Sequence, residues 1–310
     1  MKAHALLAPA LALATLMPLG TSYAATPVAP EPELQSYSID FELKAMTDIR
    51  SRGVSDTYND AGVQFTVNAA HESGLIGLLQ FNTVSKTLFP NGTGTAITGA
   101  VGYRSGDPTG WHYGVGVAQE WFPGANTDAP TGVDWETTGM TGVPTFTGER
   151  NTQFDTRYLV LELGWGLLDA RYLYVLSSDF RGNNTATLCG STYLMPALMG
   201  ADPTQAMQCY GTGPQNSGGS HLLDLDIKYP LSGQTKLIAH LGYQKVQNFS
   251  GLDGWDYRLG AVHTRWGVDF SAELVGATLR NRDFANVADA DGNTRRIDNS
   301  RVVLGLAKRF

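Results

Sequence analysis

From residue 36 onward the chain returns repeatedly to a period of two. In 36–45, Tyr37, Ile39, Phe41, Leu43 and Ala45 alternate with Ser36, Ser38, Asp40, Glu42 and Lys44, which puts apolar side chains on one face of a strand and polar ones on the other. Segments of the same kind fall at about 36–50, 62–72, 75–86, 95–105, 111–122, 152–165, 168–178, 220–230, 236–247, 255–265, 268–280 and 299–310. The pattern predicts about twelve strands, most of them about 10 to 14 residues long, well beyond the usual ~5 to 6 and sufficient to cross a bilayer at a tilt. No stretch after residue 24 has the ~18 uninterrupted apolar residues of a membrane helix, because Glu162 and Asp169 break the richest one.

The connections sort by parity. Odd-numbered ones are often long, at about 51–61, 87–94, 123–151, 179–219, 248–254 and 281–298, whereas even-numbered ones are tight: Glu72-Ser73-Gly74, 105–110, Gly166-Leu167, 231–235 and Trp266-Gly267. A soluble sandwich has no reason to sort its loops in this way. An outer-membrane barrel does, since its periplasmic turns are short, its outer loops long and its strand number even. With both termini periplasmic, Tyr37, Tyr103, Trp111, Tyr113, Trp165, Tyr229, Trp266 and Phe310 fall near the tight-turn end, and Trp121, Phe122, Tyr243, Trp255 and Tyr257 near the long-loop end. Two such levels match interfacial aromatic girdles.

Composition agrees. Charged residues make up 16% of the 310 residues, against about 25% in an ordinary soluble domain, and 36 glycines exceed the usual ~7%. A net charge of -7 argues against a protein held to nucleic acid by a basic surface. Residues 1–24 read as a secretory signal peptide, with Lys2, an apolar run around Leu6 to Leu16, and small residues before a cut after Ala24. A Pro-rich segment, 25–35, follows, and 36–310 is the expected barrel. Cys189 and Cys209 are the two cysteines. Export to an oxidising compartment favours a disulfide, and closing a loop of that length contributes about 3 kcal/mol in the chain-entropy model. The spacing offers no zinc site, and no cofactor or other metal is expected.

The last strand, RVVLGLAKRF, ends on Phe310 with Val302, Leu304 and Leu306 in phase. It resembles the C-terminal signal read by the barrel assembly machinery, with Lys308 departing from the apolar residue often found there. At Asp48 to Gln64, DIRSRGVSDTYNDAGVQ, the chain resembles the TorF family of proteobacterial porins, whose first hairpin commonly carries the phrase Arg-Gly-Ile/Val-Ser-Gln. The resemblance continues through HESGLIG at His71 to Gly77, YGVGVAQEWFPGA at Tyr113 to Ala125, Leu159 to Phe180, His221 to Ser250, Trp255 to Val262 and the C-terminal strand. It covers most of the mature chain and implies a porin of unassigned solute. Asp56 stands where Gln is common, Ala61 lacks the usual neighbouring Pro, and the Cys-bearing loop is enlarged.

Catalytic patterns are weak. His71-Glu72-Ser73 has the His-x-Ser spacing of an outer-membrane phospholipase but sits on a periplasmic turn, the wrong side for that chemistry. His112, His221, His240 and His263 have no nucleophile pattern beside them. Asp289-Ala290-Asp291-Gly292-Asn293 has its Gly two places early for a calcium loop and no Glu at the twelfth position. No phosphate-binding loop is present.

Alternation instead turns a polar set inward: Asp40, Glu42, Lys44, Gln64, Asn68, Gln80, Glu162, Arg171, Asp224, Asp226, Lys228, His240, Arg258, Asp269, Glu273 and Arg301. The expectation is an all-β, transmembrane antiparallel barrel of about twelve strands. It would work as a diffusion channel for a small polar solute, leaning weakly toward cations because acids outnumber bases in that set. The expected partners are outer-membrane lipids, the assembly machinery and the solute, and a homo-oligomer is compatible with the sequence. The alternatives are a barrel hydrolase or a binding protein acting through its outer loops, and, less favoured, a soluble periplasmic β-protein. Twelve strands enclose a narrow space, which inward side chains or the Pro-rich segment would partly plug.

Overall fold

A computed structural model describes residues 36–107, 109–134 and 144–310; the leader and the Pro-rich segment lie outside the described residues. The wall is built from twelve strands: β1 (Tyr37–Met46), β2 (Gly62–His71), β3 (Leu75–Thr83), β4 (Thr95–Gly106), β5 (Trp111–Trp121), β6 (Thr156–Trp165), β7 (Leu168–Val175), β8 (His221–Pro230), β9 (Thr235–Lys245), β10 (Gly254–Arg265), β11 (Val268–Leu279) and β12 (Arg301–Arg309). Each pairs antiparallel with its sequence neighbours, and β1 pairs with β12 in the register Glu42↔Arg309, Leu43↔Lys308 and Lys44↔Ala307. The sheet therefore closes. Closure leaves no unpaired strand edge, the condition for a sheet to stand in hydrocarbon.

Alternation decides which face meets lipid. Ile39, Phe41, Leu43, Val63, Val101, Val115, Leu161, Ile227, Leu259, Phe270 and Leu304 are exposed on the outside, and Phe65, Val67 and Leu225 share their phase. Phe65 stacks between Phe41 and Phe81 with ring centroids 6.4 and 6.3 Å away, a ladder across the outer surface. Both aromatic levels form, with one exception. Phe122 is buried, stacked at 4.3 Å on Phe89 in a cluster under the outer loops, because the strand ends at Trp121 and the chain turns inward there.

The expected strand 152–165 is also divided. Thr145–Gln153 pairs with Asn126–Asp134 as a hairpin standing above the barrel, and β6 begins only at Thr156. Asp155 accepts a hydrogen bond from the Phe122 backbone N–H at 2.8 Å, marking the step between them.

The outer loops pack on one another. Tyr58 of the first loop (47–61), Phe180 and Leu188 of the fourth (176–220), Val246 and Leu252 of the fifth (246–253), and Ala285 and Ile297 of the sixth (280–300) form one buried apolar cluster with Tyr158, Val160 and Leu222 of the wall. In the fourth loop, α1 (Thr185–Cys189) starts at Asn184, whose side chain accepts from Thr187 N–H, and Cys189 is disulfide-bonded to Cys209 in Thr204–Gly211.

Replacing Phe65 or Leu225 by Arg near mid-bilayer is expected to cost about 2 to 4 kcal/mol, read as the shift in reversible folding into lipid vesicles. Unchanged folding of both variants would mean that these residues do not face lipid. Phe310 is exposed, with its N–H donating to the Phe41 carbonyl at 3.0 Å. Deleting it is expected to lower the amount assembled in the outer membrane more than it lowers the stability of barrel already folded, and equal membrane levels would contradict this.

Candidate functional site

The candidate site is the lumen and the loop lying in it. Asp40, Glu42 and Lys44 on β1, Glu162 on β6, Arg171 on β7, Asp224, Asp226 and Lys228 on β8, His240 on β9, Arg258 on β10, and Asp269 and Glu273 on β11 all take the inward phase of their strands. Arg301 begins β12 in that phase at the outer mouth, where it is exposed and donates to the Asn59 carbonyl at 3.3 Å. The interior is less uniformly polar than expected: Ile76, Leu78, Ile238, Val262, Val275 and Val303 are also buried inside. These short apolar side chains fill space between the longer charged ones in a barrel too narrow for every inward position to carry a charge.

Most of the inward charges are paired, and several pairs skip a strand. Arg104 on β4 reaches Glu162 on β6 with both carboxylate oxygens at 2.5 and 2.6 Å from Nη2, passing over Gly114 of β5. His112 on β5 meets Asp169 on β7 at 2.9 Å over Gly164; a Cβ at position 164 would stand 2.0 Å from His112 Nε2. Asp224 on β8 and Asp256 on β10 flank Gly242 in the same way. Lys44 on β1 crosses Gly305 of β12 to approach Glu273 on β11 at 3.6 Å. Adjacent-strand cross-links complete the network. Arg171 contacts Asp226 at 2.7 Å, Arg309 holds Glu42 and Asp269 at 2.9 and 2.8 Å, and His240 lies between Asp226 and Asp256, 2.9 Å from each. Arg258 approaches Asp226 and Glu273 at 3.6 and 3.7 Å.

The sequence reading missed Arg104, His112, Glu120, Asp169, Lys236, Asp256 and Arg309 as lumen residues. Their strand phase was a usable signal for each. It had no signal for Arg52, which belongs to the first outer loop. That loop turns down into the barrel, and Arg52 donates to Asp224 Oδ1 at 2.7 Å and to the Leu223 and Tyr243 carbonyls at 3.3 and 3.0 Å, with Asp256 3.5 Å away.

The same loop is tied to its neighbours above. Arg50 is paired with Asp48 at 2.6 Å and donates to the Asn299 carbonyl at 2.7 Å, and Tyr58 Oη donates to the Val287 and Asn293 carbonyls, each 3.0 Å away. Arg181 of the fourth loop pairs with Asp56 at 2.8 Å and lies over the Phe89 and Phe122 rings. Burial works against the Arg181 charge, but Asp56 and Glu120 beside it outweigh burial and hold its pKa above the ordinary value.

His112, Glu162 and Asp169 bring ligand atoms within 4.8 Å of one another, a grouping that only the pairing of β5, β6 and β7 creates. Both Glu162 oxygens are engaged by Arg104, so a metal ion there would compete with a guanidinium. His71 Nδ1 accepts from Ser73 N–H at 3.1 Å and lies 2.8 Å from Ser73 Oγ, contacts that close their turn. Asp289 accepts from the N–H groups of Asp291 and Asn293, so its carboxylate organises a hairpin tip.

No protein-family model and no curated protein matches the sequence. Among solved structures the fold is similar to the NanC porin (10% identity, TM-score 0.43, covering 87% of this chain and 98% of that one). It is also similar to the COG4313 outer membrane channel from Pseudomonas putida F1 (12%, 0.41, 92% and 100%) and to the Pseudomonas putida toluene transporter TodX (10%, 0.39, 89% and 88%).

Glu162→Gln leaves the buried Arg104 guanidinium without its carboxylate and is expected to cost about 3 to 5 kcal/mol, measured by denaturant unfolding from lipid vesicles. Arg104→Met with Glu162→Leu removes both charges and should cost much less. Equal losses in the two variants would show that packing, not the unpaired charge, sets the penalty.

Proposed function

We propose that the protein is a passive channel of the bacterial outer membrane for a small polar solute, belonging with the TorF-type porins and reaching the membrane through a cleaved leader and the barrel assembly machinery. The observation that supports this reading best is the series of paired ionisable groups along the lumen, from Glu42, Asp269 and Arg309 toward the tight-turn end to Asp224 and Asp256 below the first outer loop. A barrel serving only as an anchor gains nothing from desolvating so many charges, and an apolar filling would hold it together as well or better.

The selectivity we propose is weakly cationic. The residues added by the structure are Glu120, Asp169 and Asp256 on the acidic side and Arg104, Lys236 and Arg309 on the basic side, so the small acidic excess of the strand-borne set persists. Arg52 reduces it from above. Charge rings bias permeation by concentrating counter-ions, and salt screens a small excess.

Purified protein in planar bilayers under a salt gradient should give a reversal potential of weak cation preference. Asp224→Asn combined with Asp226→Asn should move it toward anions. A clear anion preference in the wild type, or no movement in the double variant, would place the selective constriction elsewhere, and liposome swelling with neutral solutes of graded size would then locate the size limit.

A further inference from the structure

The first outer loop places a guanidinium where a solute would have to pass. Its tip turns sharply, with Arg52 at φ 50 and Gly53 at φ 73. Gly53 lies against the β11 backbone so closely that a Cβ there would stand 2.2 Å from the Gly276 carbonyl oxygen. No other residue type fits that approach without displacing the loop. The turn aims Arg52 at the far wall, toward β8, β9 and β10.

The receiving surface has the form of a cradle. Asp224 and Asp256 stand on either side of Gly242, and a Cβ at 242 would lie 2.2 Å from Asp256 Oδ2, so the absence of a side chain keeps the space between the two carboxylates clear. Two wall carbonyls, of Leu223 and Tyr243, point into the same space and accept from Arg52. One carboxylate and two carbonyls accept from the Arg52 guanidinium, with a second carboxylate, Asp256, 3.5 Å away, a spread of partners that suits the fork of a guanidinium better than the compact, strongly hydrated head of an ammonium ion. The fit is incomplete, for Arg52 Nε is buried without an acceptor. Without Arg52, the cation left nearest Asp224 is Arg171, 3.9 Å away.

We propose that Asp224 and Asp256 form the recognition site of the channel for a solute bearing a guanidinium group, and that Arg52 is a tethered occupant the solute displaces. The proposal rests on the channel reading above and adds to it a solute class and a means of closure. With Arg52 seated, the loop crosses the lumen and the site is filled. A guanidinium solute arriving in its place makes the same contacts and releases the loop tip, so permeation is coupled to recognition. A solute without that fork leaves Arg52 where it is.

The test uses the full-length mature protein in planar bilayers, with folding of every variant verified by the heat-dependent shift of the unboiled band on a denaturing gel. Arg52→Ala is expected to raise single-channel potassium conductance at least about twofold over wild type. Millimolar methylguanidinium should then reduce the potassium current through Arg52→Ala, with methylammonium at the same concentration having a smaller effect. Adding Asp224→Asn and Asp256→Asn to Arg52→Ala should abolish the difference between the two probes.

Conductance equal to wild type in Arg52→Ala, or methylguanidinium block that persists without the two carboxylates, would overturn the proposal while leaving the channel reading intact. Absence of conductance in every folded variant would overturn both. If Arg52→Ala does not fold, Arg52→Lys carries the test, since a lysine keeps the charge but cannot span the three acceptors. It should conduct more than wild type and show methylguanidinium block, and behaviour identical to wild type on both measures would again overturn the proposal.

Discussion

Everything in this protein depends on the ladder between β1 and β12. A backbone N–H or C=O left unpaired in hydrocarbon costs several kcal/mol, so a strand edge cannot face lipid, and the sheet must end by meeting its own beginning. Glu42 opposite Arg309 joins first strand to last and adds a charge-assisted contact at the closing seam. Once the sheet is closed, period-two alternation has only one consequence available: apolar residues turn to lipid and the remainder is confined to a narrow interior.

Confinement explains the unusual pairing inside. Long ionic side chains in a twelve-stranded barrel cannot all point at the axis, so they lie along the wall and reach across a neighbouring strand. A strand being crossed must be low at that point. Gly164 and Gly242 supply that, and a side chain at either would collide with His112 or with Asp256. Part of the glycine enrichment of the sequence therefore serves charge pairing and not turns alone. The buried pairs are individually of doubtful net value to stability, but together they hold the inward side chains in fixed positions.

The outer end follows a different logic. Its loops form an apolar cluster with the outer ends of the wall strands, above the charged interior. The first loop belongs to both regions, with Tyr58 in the cluster and Arg52 among the wall carboxylates. It links the cap to the lumen, which is why Arg52 meets the wall carboxylates although its place in the chain is an outer loop. Inward side chains and the Pro-rich N-terminal segment were the sequence-based candidates for filling the barrel; the segment lies outside the described residues, and among the described residues inward side chains together with Arg52 of the first outer loop fill that space.

The sequence by itself determined the strand number, the inside and outside faces and the sorting of turns from loops, because each depends on residues close together in the chain. Alternation is a property of a single strand, and a tight turn is a property of a few residues. Phe122 and Gln153 were misplaced at strand ends, where the chain leaves the ladder and local pattern no longer governs it. Only the tertiary structure decided which charges meet. The partner of Arg104 depends on the stagger of β4, β5 and β6 together, and the contact of Arg52 with Asp224 joins residues 172 positions apart. Neither end of such a pair carries a local mark of the other, since what brings them together is the closed register of the whole barrel.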